Sequence, residues 1–131
     1  MGTPNKNHVD GGEMEALVAN LISRYGFVVL EQNYRLGHLE VDLIAMEKDV
    51  LCFIEVKARS HRIHSGEVED LIPQSKRDNI VQVADVYCRS LHHFFYNRIR
   101  FDYALVTVLP YKEPSVQYVR NAFTPTHWQF S

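Results

Sequence analysis

Two runs of alternating residues, Leu39–Met46 and Val50–Lys57, are separated only by the polar step Glu47-Lys48-Asp49. Successive side chains on a strand point to opposite faces, so a period of two marks a strand with one covered side. Two such runs joined by so short a break predict an antiparallel hairpin. A turn confined to Lys48-Asp49 sets 47 against 50, 45 against 52, 42 against 55 and 40 against 57. Asp42 then stands opposite Glu55, and Glu40 opposite Lys57. A slip of one residue would carry Asp42 to the other face, so the register decides whether these groups meet. The alternation expected for the first run puts Leu39, Val41 and Leu43 together on one side.

The other elements follow from period and punctuation. Met14, Leu17, Val18, Leu21, Ile22 and Tyr25 recur at helical spacing and predict a helix over Gly12–Tyr25. Asp10, with Glu13 three residues on, is its expected cap, and Gly26 its stop. Phe27–Tyr34 is rich in β-branched and aromatic residues and predicts a strand. Ala58–Gly66 is a loop carrying Arg59, His61, Arg62 and His64 and no acid. A second helix starts between Asp70 and Ser75 and shows an apolar stripe of Ile80, Ala84, Tyr87 and Leu91. Strands are expected over Ile99–Leu109 and Val116–Val119. This order predicts an α/β domain with a mixed central sheet flanked by helices. The helical crossover favours a parallel pairing of the third and fourth strands. Residues 1–11 read as a disordered arm, 12–122 as one domain and 123–131 as a C-terminal tail.

Composition removes several classes of function. The 131 residues fit one domain, and 46% hydrophobic with 23% charged residues excludes a disordered or collagen-like chain. The net charge of −2 argues against a strongly basic nucleic-acid coat. It leaves room for a nuclease, whose metal-binding carboxylates lower the count. Cys52 and Cys88 make neither a disulfide framework nor a zinc spacing; they read as buried, inert thiols in a reducing cytoplasm. Met1–Asp10 has no apolar run and does not read as a secretory signal, and no stretch suits a membrane span, so no membrane partner is expected. Neither a Gly-rich phosphate loop nor a G-x-S-x-G motif occurs.

Chemistry concentrates in the hairpin. Glu55 and Lys57 lie two apart on a strand and share a face. Two carboxylates about 5 Å apart repel by about 3 kcal/mol at an effective dielectric of 20. Lys57 and a bound cation are what the local sequence offers to offset this. Hard oxygen ligands suit Mg²⁺ or Mn²⁺, which could polarise a phosphoryl oxygen and activate water. Lys57 could orient that water or stabilise charge on the phosphate. Alternating charge on a strand can equally be a solvated face, Glu13 can equally complete a capping box with Asp10, and a basic loop can equally be solvated. His92-His93 reads as a charge partner for a helix C-terminus.

Gly12-Glu13, Gln32-Asn33-Tyr34-Arg35, Glu40-Val41-Asp42-Leu43-Ile44-Ala45, Phe53-Ile54-Glu55-Val56-Lys57-Ala58-Arg59, Lys76 and Arg100-Phe101-Asp102, in that order, resemble the YraN-like family of bacterial proteins. That family is similar to the PD-(D/E)xK, restriction-endonuclease-like nucleases, archaeal Holliday-junction resolvases especially. The resemblance implies a restriction-endonuclease-like core in which Asp42, Glu55 and Lys57 are catalytic. Asp42 and Glu55 would bind the metal, and Glu13 would match the first-helix glutamate that completes the metal site. Glu40 would support the ligands, and Arg35, Arg59, Arg62 and Lys76 would contact nucleic acid. Val41 stands where the nucleases have proline, and Gly37 lies three residues before Glu40 where the family has glycine directly before it. The function so implied is a Mg²⁺- or Mn²⁺-dependent DNA endonuclease that hydrolyses phosphodiester bonds. By analogy it acts on branched DNA, as a homodimer. Two alternatives are a non-catalytic nucleic-acid-binding module that kept the fold, and a protein-interaction domain.

Overall fold

The computed structural model describes residues 11–60, 72–90 and 96–125. Helix α1 (Gly11–Arg24) is followed by β1 (Phe27–Leu36), β2 (Leu39–Glu47), β3 (Val50–Arg59), α2 (Gln74–Ser90), β4 (Arg98–Thr107) and β5 (Ser115–Val119). Gly26 closes α1 at φ +96°, a conformation that costs glycine little. The turn between β1 and β2 uses Gly37 at φ +63°, with Leu36 opposite Leu39. That explains where the glycine of this region sits: it serves the hairpin turn. Lys48 takes φ +55° in the next turn, and Glu47 pairs with Val50 as the two-residue turn predicts.

The five strands of the described residues lie in sequence order in one sheet. β3 and β4 are parallel, from Val50 with Arg98 to Arg59 with Thr107, and the other neighbours are antiparallel. The mixed sheet and the parallel crossover carried by α2 are those the element order predicts.

Among the described residues, each face of the sheet carries one helix. Met14, Val18, Ala19 and Ile22 of α1 pack with Leu43, Ala45, Ile54 and Val106. Ile80, Val83, Ala84 and Tyr87 of α2 pack with Val41, Ile44, Leu51, Phe53 and Phe101 on the other side. Burying one such large side chain is worth about 1.5–3 kcal/mol, so these two layers fix the side and rotation of each helix.

The structure departs from the expectations at several points. Val41 and Leu43 belong to opposite layers, because the alternation of β2 breaks at Asp42. Ala58 and Arg59 continue β3, since parallel pairing with Val106 and Thr107 occupies them. Tyr25 is 76% exposed, because α1 ends before it can face the sheet. Val83 joins the α2 stripe. β1 carries an irregularity between Val29 and Glu31 that shifts its register by one residue. Gly11 already opens α1, and Phe123 stacks on Phe101 with ring centroids 4.9 Å apart. Asp10 and the rest of the arm, His61, Arg62, His64, Leu91, His92, His93 and residues 126–131 of the tail lie outside the described residues.

Arg100 and Asp102 anchor the turn end of the sheet. Asp102 is 1% exposed. It accepts hydrogen bonds from Arg100 Nε at 2.8 Å, Tyr118 Oη at 2.6 Å and the Asn121 N–H at 2.8 Å. Arg100 Nη2 also donates to Glu47 Oε1 at 2.7 Å. Arg120 and Arg100 together hold the Glu47 carboxyl down at about 2. A buried charge is tolerable when it is paired and fully hydrogen-bonded, and this one is both.

Candidate active site

β2 and β3 part where the acidic residues lie. Their ladder ends at Leu43 with Ile54, so the expected pairs of Asp42 with Glu55 and Glu40 with Lys57 are not formed. Asp42 Oδ2 instead accepts the N–H of Val56 at 2.8 Å. The carboxylate thus satisfies a backbone donor that the parted strands would otherwise leave unpaired. Beyond this wedge lies a cavity of about 480 Å³, walled by Met14 and Glu15 of α1, Asp42 of β2, Glu55 and Lys57 of β3, and Lys76 of α2. The hairpin delivers three of these side chains. The two helices, from opposite faces, deliver Glu15 and Lys76.

The acids are deeply placed: Glu15 is 6% exposed, Asp42 9% and Glu55 4%. Burial, and then the neighbouring Asp42 carboxylate, push Glu15 up to about 8 and Glu55 up to about 9. Buried Glu15 Oε2 and Glu55 Oε2 have no hydrogen-bond partner among the described residues. Lys76 Nζ stands 3.4 Å from Glu55 Oε2, near enough for attraction but not aligned as a hydrogen bond. Glu15, Glu40 and Asp42 each offer an oxygen, all within 4.8 Å of one another. Crowded buried carboxylates with free lone pairs are costly unless a proton or a cation joins them. An all-oxygen, acidic donor set fits Mg²⁺ or Mn²⁺, and the cavity leaves room for the waters such ions keep.

Of the residues singled out in the sequence, Asp42, Glu55 and Lys57 come together in the cavity. Glu13 does not: it is exposed, and the carboxylate that α1 turns inward belongs to Glu15. Two positions along a helix rotate a side chain by about 200°, so the two cannot face the same way. The signal was in the stripe, because Glu15 precedes the buried Val18 and Ala19 by three and four residues and shares their face. Glu40 joins the acidic group and also pairs with Arg35 at 3.4 Å, which engages Arg35. Lys76, expected on nucleic acid, borders the cavity as the ion partner of Glu55. Arg59 ends β3, with Nη1 donating to the Ala58 carbonyl at 3.0 Å.

Asn33 was not singled out by itself. It lies between the β1–β2 pairs Gln32 with Leu43 and Tyr34 with Val41, which sets it across from Asp42, at φ +53°. Its side-chain amide lies beside Glu15 and favours the ionised carboxylate. Asparagine tolerates the left-handed region better than most residues, which is the clue its position carried. Burial pushes the Cys52 thiol up to about 12 and Cys88 up to about 11, in keeping with inert thiols.

The family described as "Uncharacterised protein family UPF0102" matches over residues 14–106. A UPF0102 protein of Chlorobium chlorochromatii is 39% identical over 87 residues, 66% of this chain and 67% of that protein. One from Dictyoglomus turgidum is 34% identical over 110 residues, 83% of this chain and 92% of that protein. Among solved structures, the chain is similar to Archaeoglobus fulgidus Hjc, a Holliday junction resolvase, with a TM-score of 0.51 and 16% identity. That likeness covers 82% of this chain and 73% of the resolvase, and the shared fold is the restriction-endonuclease-like one.

Proposed function

The chain belongs to the uncharacterised protein family UPF0102, and for this member of it we propose a divalent-metal-dependent DNA nuclease that hydrolyses phosphodiester bonds. The observation that carries the proposal is the convergence of Glu15, Asp42 and Glu55 on one cavity, with two buried oxygens lacking hydrogen bonds and Lys57 on the same wall. Asp42, Glu55 and Glu15 would hold Mg²⁺ or Mn²⁺, with Glu15 taking the part first expected of Glu13 and Glu40 bordering the ligands. A bound ion of this kind supplies positive charge to a phosphoryl oxygen and lowers the pKa of water. Lys57 provides an ammonium that can orient the attacking water or stabilise charge developing on the phosphate. Asp42 has a second task, because its bond to Val56 N–H fixes the position of β3 beside it. Arg59, the last residue of β3, and Arg62, three residues on in the sequence, are proposed phosphate contacts.

Branched DNA as substrate rests on the likeness in fold to a Holliday junction resolvase. A homodimer would set two such sites on one junction. The two free cysteines suit a reducing cytoplasm, and no helix among the described residues is long and apolar enough to cross a membrane.

The test is a cleavage assay on linear, single-stranded and four-way-junction DNA with Mg²⁺, Mn²⁺ or a chelator. The wild type should cut only with metal. Lys57→Ala and Asp42→Asn should lose cutting while keeping their circular-dichroism spectra. Cutting that survives both substitutions would place the activity in a contaminant or another site. One rival has an observation behind it: the net charge of −2 and the pairing of Arg35 with Glu40 suit a protein-interaction domain. An absence of salt-dependent DNA affinity would select it.

A further inference from the structure

Lys76 sits in the first turn of α2, two residues after Gln74. Free N–H groups make that end of a helix positive, so acids are favoured there and cations are not. This turn nevertheless holds no acid and has a lysine on its inner side. A local preference broken in this way asks for a compensating partner elsewhere. The partner is Glu55, from a different element.

The contact has the character of a removable one. The Lys76 side chain is 42% exposed and that of Glu55 only 5%. Nζ lies 3.4 Å from Oε2, and that buried oxygen receives no hydrogen bond from the described residues. A permanent buried ion pair is expected to be enclosed and fully hydrogen-bonded, as Arg100 and Asp102 are in this same protein. Lys76 instead meets Glu55 as an ion pair without an aligned hydrogen bond, on a side chain that is partly open to solvent. Lys57 already supplies the cavity with one ammonium from β3.

We propose, resting on the nuclease reading, that Lys76 is an exchangeable counter-ion: it stands against Glu55 in the metal-free site and pairs with its ionised form, yields Glu55 to an incoming divalent cation, and then pairs with a DNA phosphate. It is a positioning residue for the acid and a binding residue for the substrate, at different stages. Metal binding takes the carboxylate form, so it releases the proton as well as the lysine from Glu55. The exchange keeps the ionised form of Glu55 from standing as a bare buried charge until the divalent cation takes the lysine's place.

The experiment measures Mn²⁺ affinity by titration calorimetry at one fixed pH for the wild type, Lys76→Met and Lys76→Arg. DNA affinity is measured across a salt series with Ca²⁺ present. Lys76→Met should bind Mn²⁺ about tenfold more tightly, because a competing positive charge is gone. The same variant should bind DNA more weakly, with its salt slope reduced by about one counter-ion. Lys76→Arg should stay near the wild type in both. The side chain leaves no hole in the core, and a matched melting curve checks that each variant is folded. Equal or weaker Mn²⁺ binding by Lys76→Met, in a protein whose wild type binds Mn²⁺, overturns the exchange alone. An unchanged DNA salt slope overturns the transfer to phosphate. A wild type and variants that all fail to bind Mn²⁺ overturn the nuclease reading with it.

Discussion

The metal-free protein should lose stability as pH rises from about 5 to 9, and a divalent cation should restore it. Glu15 and Glu55 are raised from an ordinary 4.5 to about 8 and about 9 by burial and then by Asp42. Above 4.5 the unfolded chain gives up these two protons while the folded chain keeps them. The folded state therefore binds more protons throughout that window, and its stability falls until pH passes the raised values. Each carboxyl contributes a slope of a little over 1 kcal/mol per pH unit while only its unfolded form has titrated. Because both acids lean on the same Asp42, their effects overlap, and the total loss is on the order of that of one carboxyl carried through the window, about 5 kcal/mol. For a domain of this size that lowers the melting temperature by on the order of 10–20 °C.

The assay is thermal melting by circular dichroism across this range in a chelator and again with Mn²⁺, on the wild type, Glu15→Gln and Glu55→Gln. Histidines titrate in the same window, so the informative quantity is the difference between wild type and variant. Each glutamine should flatten the metal-free curve, because it removes the acid that must ionise. With Mn²⁺ the wild-type curve should flatten or rise with pH, since the ion binds the deprotonated carboxylates. A metal-free wild type that falls no faster than Glu15→Gln or Glu55→Gln would refute the placement of these buried acids.

Asp102→Ala should destabilise the protein by about 3–5 kcal/mol in denaturant titration, because it leaves buried Arg100 without its main partner. Asn33→Gly keeps the left-handed backbone but removes the amide from Glu15; it should weaken Mn²⁺ binding with a stability cost below about 1 kcal/mol, whereas Asn33→Val should add about 1–3 kcal/mol of strain in a chemical melt. Cys52 and Cys88 should react slowly with a thiol reagent at pH 8 in the native protein and promptly in denaturant, because burial suppresses both thiolates.

Local rules carried much of this fold. The period of two in Leu39–Met46 and Val50–Lys57, with its two-residue turn, is enough to pair Glu47 with Val50 and Leu43 with Ile54. The long crossover is enough to make β3 and β4 parallel, because a short connection cannot bring parallel neighbours together. Glu55 and Lys57 were legible as sharing a strand face and Asp42 as lying in the facing strand, although the direct pairing of Asp42 with Glu55 does not form.

The helical contributions were not legible in this way. Whether α1 presents Glu13 or Glu15 depends on how Met14, Val18 and Ile22 seat against Leu43 and Ile54, a contact between segments far apart in the chain. The partnership of Lys76 with Glu55 depends on α2 lying across the opposite face, and the parting of β2 from β3 depends on Asp42 taking Val56 N–H in place of a ladder bond. Chain-neighbour preferences settle pairing and turns because those involve a few adjacent dihedrals. The rotation of a helix on a sheet, and the depth at which an acid loses its water, are set by packing over the whole core, and they give this site its charge.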